Sequence, residues 1–375
     1  MRRVFIALCA LALVAALPAV AHAVEVSDRP MAGTAFNGTV HAVLYHDDVV
    51  YSAGEFTLAT DRGKRYNRSR VAAVGADGTL RAFAPVVDGT VYALETDGTY
   101  LYLAGVFARV GDVAVKRVAR VSLADGTVDE DFDVRISGTP RALEVAGGRL
   151  YIGGDFNTVN GVARSKMAAV ELSDGVLVNG FVPVFDRGVR AIKASGSRIY
   201  VGGGFTTVGG RSARELVALT SVGTIDSGFA ATAKGTVYDI DVASGQVYTA
   251  AGGPGGRVHA YRSDGSTAWE RTADGDVVAV TVHGGVVYAG GHFEKVCKDE
   301  QVGDKGKCLS GVSARRGKLF ASSTSGTLLG WNPDTDTTLG VLTMDDGGGT
   351  VAAGGTFLTF AGRTIAQRAL ALFGG

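Results

Sequence analysis

This chain of 375 residues shows no excess of either charge: 37 Lys and Arg balance 37 Asp and Glu, and no basic block interrupts them. That argues against nucleic acid or an anionic membrane surface as the main partner. Proline is scarce (7 residues) and cysteine scarcer (3), which leaves little covalent stiffening. Beyond the first twenty residues no apolar run is long enough to cross a bilayer. The usual signs of chemistry are also absent. After residue 23 the histidines are His41, His46, His259, His283 and His292, none at helical metal spacing, and there is no His-Glu-x-x-His. A Gly-x-Ser-x-Gly elbow and a Walker phosphate loop are both missing. No cofactor, no metal and no catalytic residue is expected.

The chain begins like an exported protein. Arg2 and Arg3 precede an apolar run from Val4 to Val20, and Ala21-His22-Ala23 supplies a small-x-small cleavage pattern. Residues 1–23 therefore read as a secretory signal, leaving 24–375 as one secreted domain with no membrane insertion, expected to be a monomer. Removing Cys9 with the leader leaves Cys297 and Cys308, an even pair in an oxidising compartment, and these are expected to form a disulfide.

What the sequence has in quantity is glycine, 55 residues, and a repeated phrase. One copy reads Leu150-Tyr151-Ile152-Gly153-Gly154-Asp155-Phe156. Its Tyr recurs at Tyr51, Tyr102, Tyr151, Tyr200, Tyr248 and Tyr288, with Ala352 in the last copy. Periods near fifty residues mark stacked or radial supersecondary units. Before each phrase lies an apolar-x-Ala-apolar segment such as Val40-His41-Ala42-Val43 or Val189-Arg190-Ala191-Ile192. After it come a third segment such as Lys166-Met167-Ala168-Ala169-Val170 and a fourth ending in Phe83, Phe132, Phe181, Phe229, Trp269 or Trp331. Glycine-rich links between them favour hairpins. The expected fold is all-β: a seven-bladed β-propeller with four antiparallel strands per blade. The seventh repeat lacks a fourth segment after Arg368–Leu372, and Gly33–Phe36 precedes the first repeat. The N-terminal strand is thus expected to complete the C-terminal blade and close the ring.

The Tyr-x-Gly-Gly-x-Phe phrase, the following Val-x-Gly of Phe156–Gly161 and Phe205–Gly210, and turns such as Gly223–Phe229 resemble the exported bacterial delta-60-repeat propellers, with a more distant likeness to kelch propellers. That resemblance implies a propeller of unassigned biochemical role and carries over no functional residue.

One set of positions varies where the repeat is otherwise uniform. The second place of the first segment holds His41, Tyr92, Arg141, Arg190, Tyr238, Val278 and, in the seventh copy, Gly340, and Asp239 replaces the usual Ala beside Tyr238. First strands line a propeller's channel, so His41, Tyr92, Arg141, Arg190, Tyr238 and Asp239 are the candidate ligand-binding residues at one mouth. The competing reading is that Arg stems and Tyr rings merely wedge between blades. The expected function is a secreted binding or scaffold module for an extracellular glycan, cell-wall polymer or protein. The alternative is a polysaccharide hydrolase or lyase, for which Asp239 and Asp186 are the carboxylates placed near that rim.

Overall fold

The computed structural model describes residues 25–253, 255–299, 307–337 and 339–374. The expected leader, residues 1–23, lies outside them. The described residues form strands and no helix. First strands run Val40–His46, Thr90–Thr96, Thr139–Ala146, Val189–Ser195, Thr236–Ala243, Val277–His283 and Val341–Gly347. Each pairs antiparallel with a second strand carrying the repeated phrase: Val49–Gly54, Tyr100–Val106, Arg149–Asp155, Arg198–Gly203, Gln246–Gly252, Val286–Gly291 and Thr350–Gly355. A third strand follows on the far side of each: Val71–Gly75, Val118–Ser122, Met167–Glu171, Leu216–Leu219, Gly256–Tyr261, Leu319–Ser323 and Leu370–Gly374. Successive first strands contact one another, and Val341–Gly347 in turn contacts Val40–His46. They therefore surround a common space.

The small-residue pair of the phrase has a steric cause. A Cβ on Gly153 would lie 2.5 Å from Val189 Cγ1 of the next sheet, and one on Gly202 would lie 2.4 Å from Val237 Cγ1. The second glycine faces its own sheet: a Cβ on Gly154 would lie 2.2 Å from the Thr139 carbonyl oxygen. One residue thus sets the spacing between sheets and the next sets it within a sheet. The phrase Tyr and the fourth-segment aromatic form one unit. Tyr51–Phe83, Tyr102–Phe132, Tyr151–Phe181, Tyr200–Phe229 and Tyr288–Trp331 meet edge to face with centroids 5.0–5.4 Å apart.

Two expectations are corrected. Only the fifth repeat has a full fourth strand, Thr267–Ala273, among the described residues. In five others the fourth segment makes a single bridge, as at Val170–Leu177. The chain there leaves the edge so that its aromatic can reach the second-strand Tyr. Second, the ladder of Ala35–Phe36 is with Leu58–Asp61, where Phe36 stacks on Phe56 at 4.1 Å, and its contact with the expected C-terminal stretch is one backbone bond, from Phe36 N–H to the Arg368 carbonyl at 3.2 Å. The N-terminal segment still borders the C-terminal strand, one stretch earlier: Ser27 N–H donates to the Gly374 carbonyl and Met31 N–H to that of Leu372, both at 2.8 Å.

The disulfide between Cys297 and Cys308 is present, with Cα atoms 5.2 Å apart. Its hairpin, Lys295–Cys297 and Ser313–Arg315, is not an isolated loop. Val296 pairs with Ala273 and extends the fifth sheet to six strands.

Candidate functional site

Every first strand slips register at one residue: between Val40 and Ala42, Val91 and Ala93, Pro140 and Ala142, Val189 and Ala191, Val237 and Asp239, Val277 and Ala279, and Val341 and Thr343. The skipped residues are His41, Tyr92, Arg141, Arg190, Tyr238, Val278 and Leu342. A bulge leaves its residue unpaired and re-aims the side chain. All seven, with Asp239, line one cavity of about 210 Å³ inside the ring of first strands. The six sequence candidates thus come together. The seventh member is Leu342, not Gly340. The Gly340 carbonyl faces Gly355 as the Thr39 carbonyl faces Gly54, which places Gly340 before the strand.

The rim is a chain of contacts. His41 Nε2 lies 3.2 Å from Glu55 Oε1, and its ring meets Tyr92 at 5.2 Å. The Arg141 guanidinium sits 4.8 Å from the Tyr92 ring centre, so Tyr92 is held between His41 and Arg141. Arg141 Nε and Arg190 Nη2 both reach the same oxygen, Asp155 Oδ2, at 3.3 Å. Asp155 itself rests against Gly188, where any Cβ would meet its Oδ1 at 2.1 Å. Burial, and then the charge of Asp276, raise the Tyr238 hydroxyl above its ordinary pKa.

Deeper in the cavity lie groups the sequence reading missed: Glu95, Glu144, Lys193, Asp241 and Asp345. They share one position, three residues after the bulge, where the repeat reads Leu44, Glu95, Glu144, Lys193, Asp241, Thr281 and Asp345. Charge at that recurring place, among apolar neighbours, was the available signal. These carboxylates join neighbouring sheets. Glu144 Oε1 accepts the Ala194 N–H at 2.8 Å, Asp241 Oδ2 that of Val282 at 2.8 Å, and Asp345 Oδ2 that of Tyr45 at 2.7 Å. Asp239 Oδ2 likewise accepts the Val280 N–H at 2.9 Å, which explains why Asp stands where other repeats have Ala. Enclosure raises Asp239 to about 7 and Asp345 to about 6. Glu95 and Glu144 are raised by the same enclosure, Glu95 further by the charge of Glu144. Enclosure alone would lower Lys193, but Asp241 and Glu144 outweigh it and hold the ammonium above its usual range.

Asp186 does not line this cavity. Burial is the largest single influence on its pKa and would raise it, but the hydrogen bonds it accepts from Thr206 and Thr207 together outweigh burial and hold it at about 2. A larger cleft of about 720 Å³ borders His292, Arg315 and Asp334. Two of its cations are committed: Arg315 Nη1 to Asp334 at 2.9 Å and Lys318 Nζ to Glu294 at 2.5 Å.

This geometry is that of a β-propeller, and the comparisons agree. A family model described as a β-propeller domain of unknown function, DUF5122, matches residues 197–229, a stretch that spans the fourth repeat's second and third strands and Phe229. Among solved structures, a chain of the mitotic checkpoint complex is similar with a TM-score of 0.59 and 13% identity, over 98% of this chain and 99% of that one. The WD40 β-propeller domain of Doa1 is similar with a TM-score of 0.56 and 11% identity, over 93% and 97%. The computationally designed Ika8 protein is similar with a TM-score of 0.51 and 10% identity, over 94% and 100%. At such identities the likeness concerns the fold alone. No curated protein matches the chain.

Proposed function

We propose that this chain is an exported seven-bladed β-propeller, one domain over residues 24–375, that binds an extracellular glycan, cell-wall polymer or protein at one mouth of its channel. The observation that carries this reading is the convergence of the bulge residues. Five successive bulges of the seven aim His41, Tyr92, Arg141, Arg190 and Tyr238 into one cavity, where packing alone would favour apolar side chains. Seven sheets in a contacting circle support the blade count, and the bonds from Ser27 and Met31 to the last strand support closure by the N-terminal segment. The disulfide supports export to an oxidising compartment.

Binding is favoured over hydrolysis because the channel carboxylates Glu144, Asp239 and Asp241 are each fixed in place by an N–H of the neighbouring sheet. The test is retention of cell-wall fractions and arrayed glycans or proteins by the immobilised protein. Arg141→Ala with Arg190→Ala should abolish retention. The melting temperature should hardly move, since a partly exposed ion pair is worth about 0–1 kcal/mol. Retention that survives in the double variant would place binding elsewhere.

A further inference from the structure

We infer that the channel mouth recognises an acidic sugar, a single ring carrying one carboxylate and several hydroxyls, presented at the end of a glycan. This rests on the proposed binding role and narrows it to a ligand class.

Charge at the rim is the first argument. Arg141 and Arg190 share one carboxylate oxygen of Asp155, so within this triad two cations face one anion. Both arginine side chains are about one-third exposed, at 34% and 32%. The guanidinium fork presents five donors and suits a carboxylate. Tyr92, clasped between His41 and Arg141, serves to hold Arg141 in place rather than to meet a ligand. Among the described residues Tyr238 makes no such ring contact, and its aromatic ring lines the same mouth.

The acceptors below are the second argument. Glu144, Asp239 and Asp241 each accept a backbone N–H from the neighbouring strand, Asp239 and Asp241 a second from the residue that follows them, and a carboxylate has about four acceptor sites. Sites remain for hydroxyl donors. A ligand that satisfies both levels carries an anion at one edge and several O–H groups at another. A peptide carboxyl terminus would meet the arginines but bring no hydroxyls to the acids. Size sets the length of ligand that enters. At about 210 Å³ the cavity falls below the ~300–1,000 Å³ typical of drug-sized ligands, so it admits one ring rather than a chain threaded through.

The test is an NMR titration of the disulfide-bonded protein with glucuronic and galacturonic acid, glucose, galactose, acetate and a short peptide with a free carboxyl terminus. The uronic acids should bind at least tenfold more tightly than each of the others. Arg141→Lys with Arg190→Lys keeps the charge but loses the fork, and should remove most of that preference. Asp155→Asn frees both arginines and should tighten uronate binding severalfold while leaving neutral sugars unchanged, a gain that a merely structural role would not produce. Equal binding of neutral and acidic sugars, lost in Tyr238→Ala, would overturn the inference and leave the binding role standing. Preference for the peptide, or a uronate affinity unmoved by all these variants, would also overturn it. If no probe binds and arrayed ligands ignore the mouth variants, the binding role falls too.

Discussion

At Gly202 an added methyl group would sit 2.4 Å from Val237 Cγ1 and 3.1 Å from Ile240 Cδ1, both on the next sheet. Backbone and a stiff β-branched side chain cannot move aside cheaply, so Gly202→Ala should cost about 1–3 kcal/mol through overpacking. Combined with Val237→Ala the cost should fall well short of the sum, because the second change removes the obstructing atom. Urea denaturation of the two single variants and the double variant checks this, and strictly additive values would contradict the account. The channel acids make a separate, pH-dependent contribution. Asp239 has its pKa raised to about 7 against about 3.9 in an unfolded chain. Between those values the folded state holds the proton and the unfolded state does not, so this group's stabilisation is full below about pH 4 and is lost as pH rises through 7. Glu95, Glu144 and Asp345 act with the same sign. His259, lowered by burial to about 4, opposes them between pH 4 and 6.5. Asp239→Asn should therefore gain stability over the parent as pH rises from 4 to 7, with a slope of at most about 1.4 kcal/mol per pH unit. Parallel stability curves for the two proteins would show that Asp239 does not titrate in that range.

The disulfide hairpin shows how an added element is secured to a repeat. Lys295–Cys297 continues the fifth sheet, and Arg271, 1% exposed, donates to the carbonyls of Cys297, Lys298, Asp299 and Gly326. Replacing both cysteines with serine should cost about 2–3 kcal/mol, for a closed loop of this length. Arg271→Met orphans buried carbonyls and should cost about 3 kcal/mol or more. If amide exchange shows the hairpin loosened more by the two serines than by the loss of the Arg271 donors, the covalent link is the main fastening. This scale also shows where the sequence was readable. First, second and third strands follow from the apolar-x-Ala-apolar and Tyr-Gly-Gly patterns, whose cause is the steric limit just described. The fourth strands were overcounted, because a segment ending in Phe181 has strand composition but turns inward after one bridge. Register in the seventh repeat was misplaced since Leu339-Gly340-Val341-Leu342 alternates apolar residues in a way that fits two phases. The rim residues were visible as variation within a repeat. The acids beneath them were not singled out, because their role depends on the N–H groups of the next sheet, which no local pattern displays.

At the scale of the whole molecule, the N-terminal segment touches both ends of the circle. Val26, 5% exposed, donates its N–H to the Tyr288 hydroxyl at 2.9 Å, and Trp331 donates its indole N–H to the Ser27 carbonyl at 3.0 Å. Ser27 and Met31 bond to the last strand, Gln367 reaches the Thr34 carbonyl at 3.1 Å, and Phe36 stacks on Phe56 in the first repeat. Residues 25–36 thus cover the free edge of Leu370–Gly374 and the aromatic pair of the sixth repeat while gripping the first. In the proposed closed ring this segment covers the edge that the last strand would otherwise expose, and opening that seam weakens the sheets on either side. Deleting residues 24–37 should therefore lower the melting temperature sharply and expose Trp331 to solvent, seen as a red shift in its fluorescence. A synthetic peptide of residues 25–37 should restore part of the lost stability in a concentration-dependent way, since it binds the folded state alone. A truncated protein that melts like its parent, or one that ignores the peptide while staying folded, would show that the seam is held by the strands of the first and seventh repeats without the N-terminal segment.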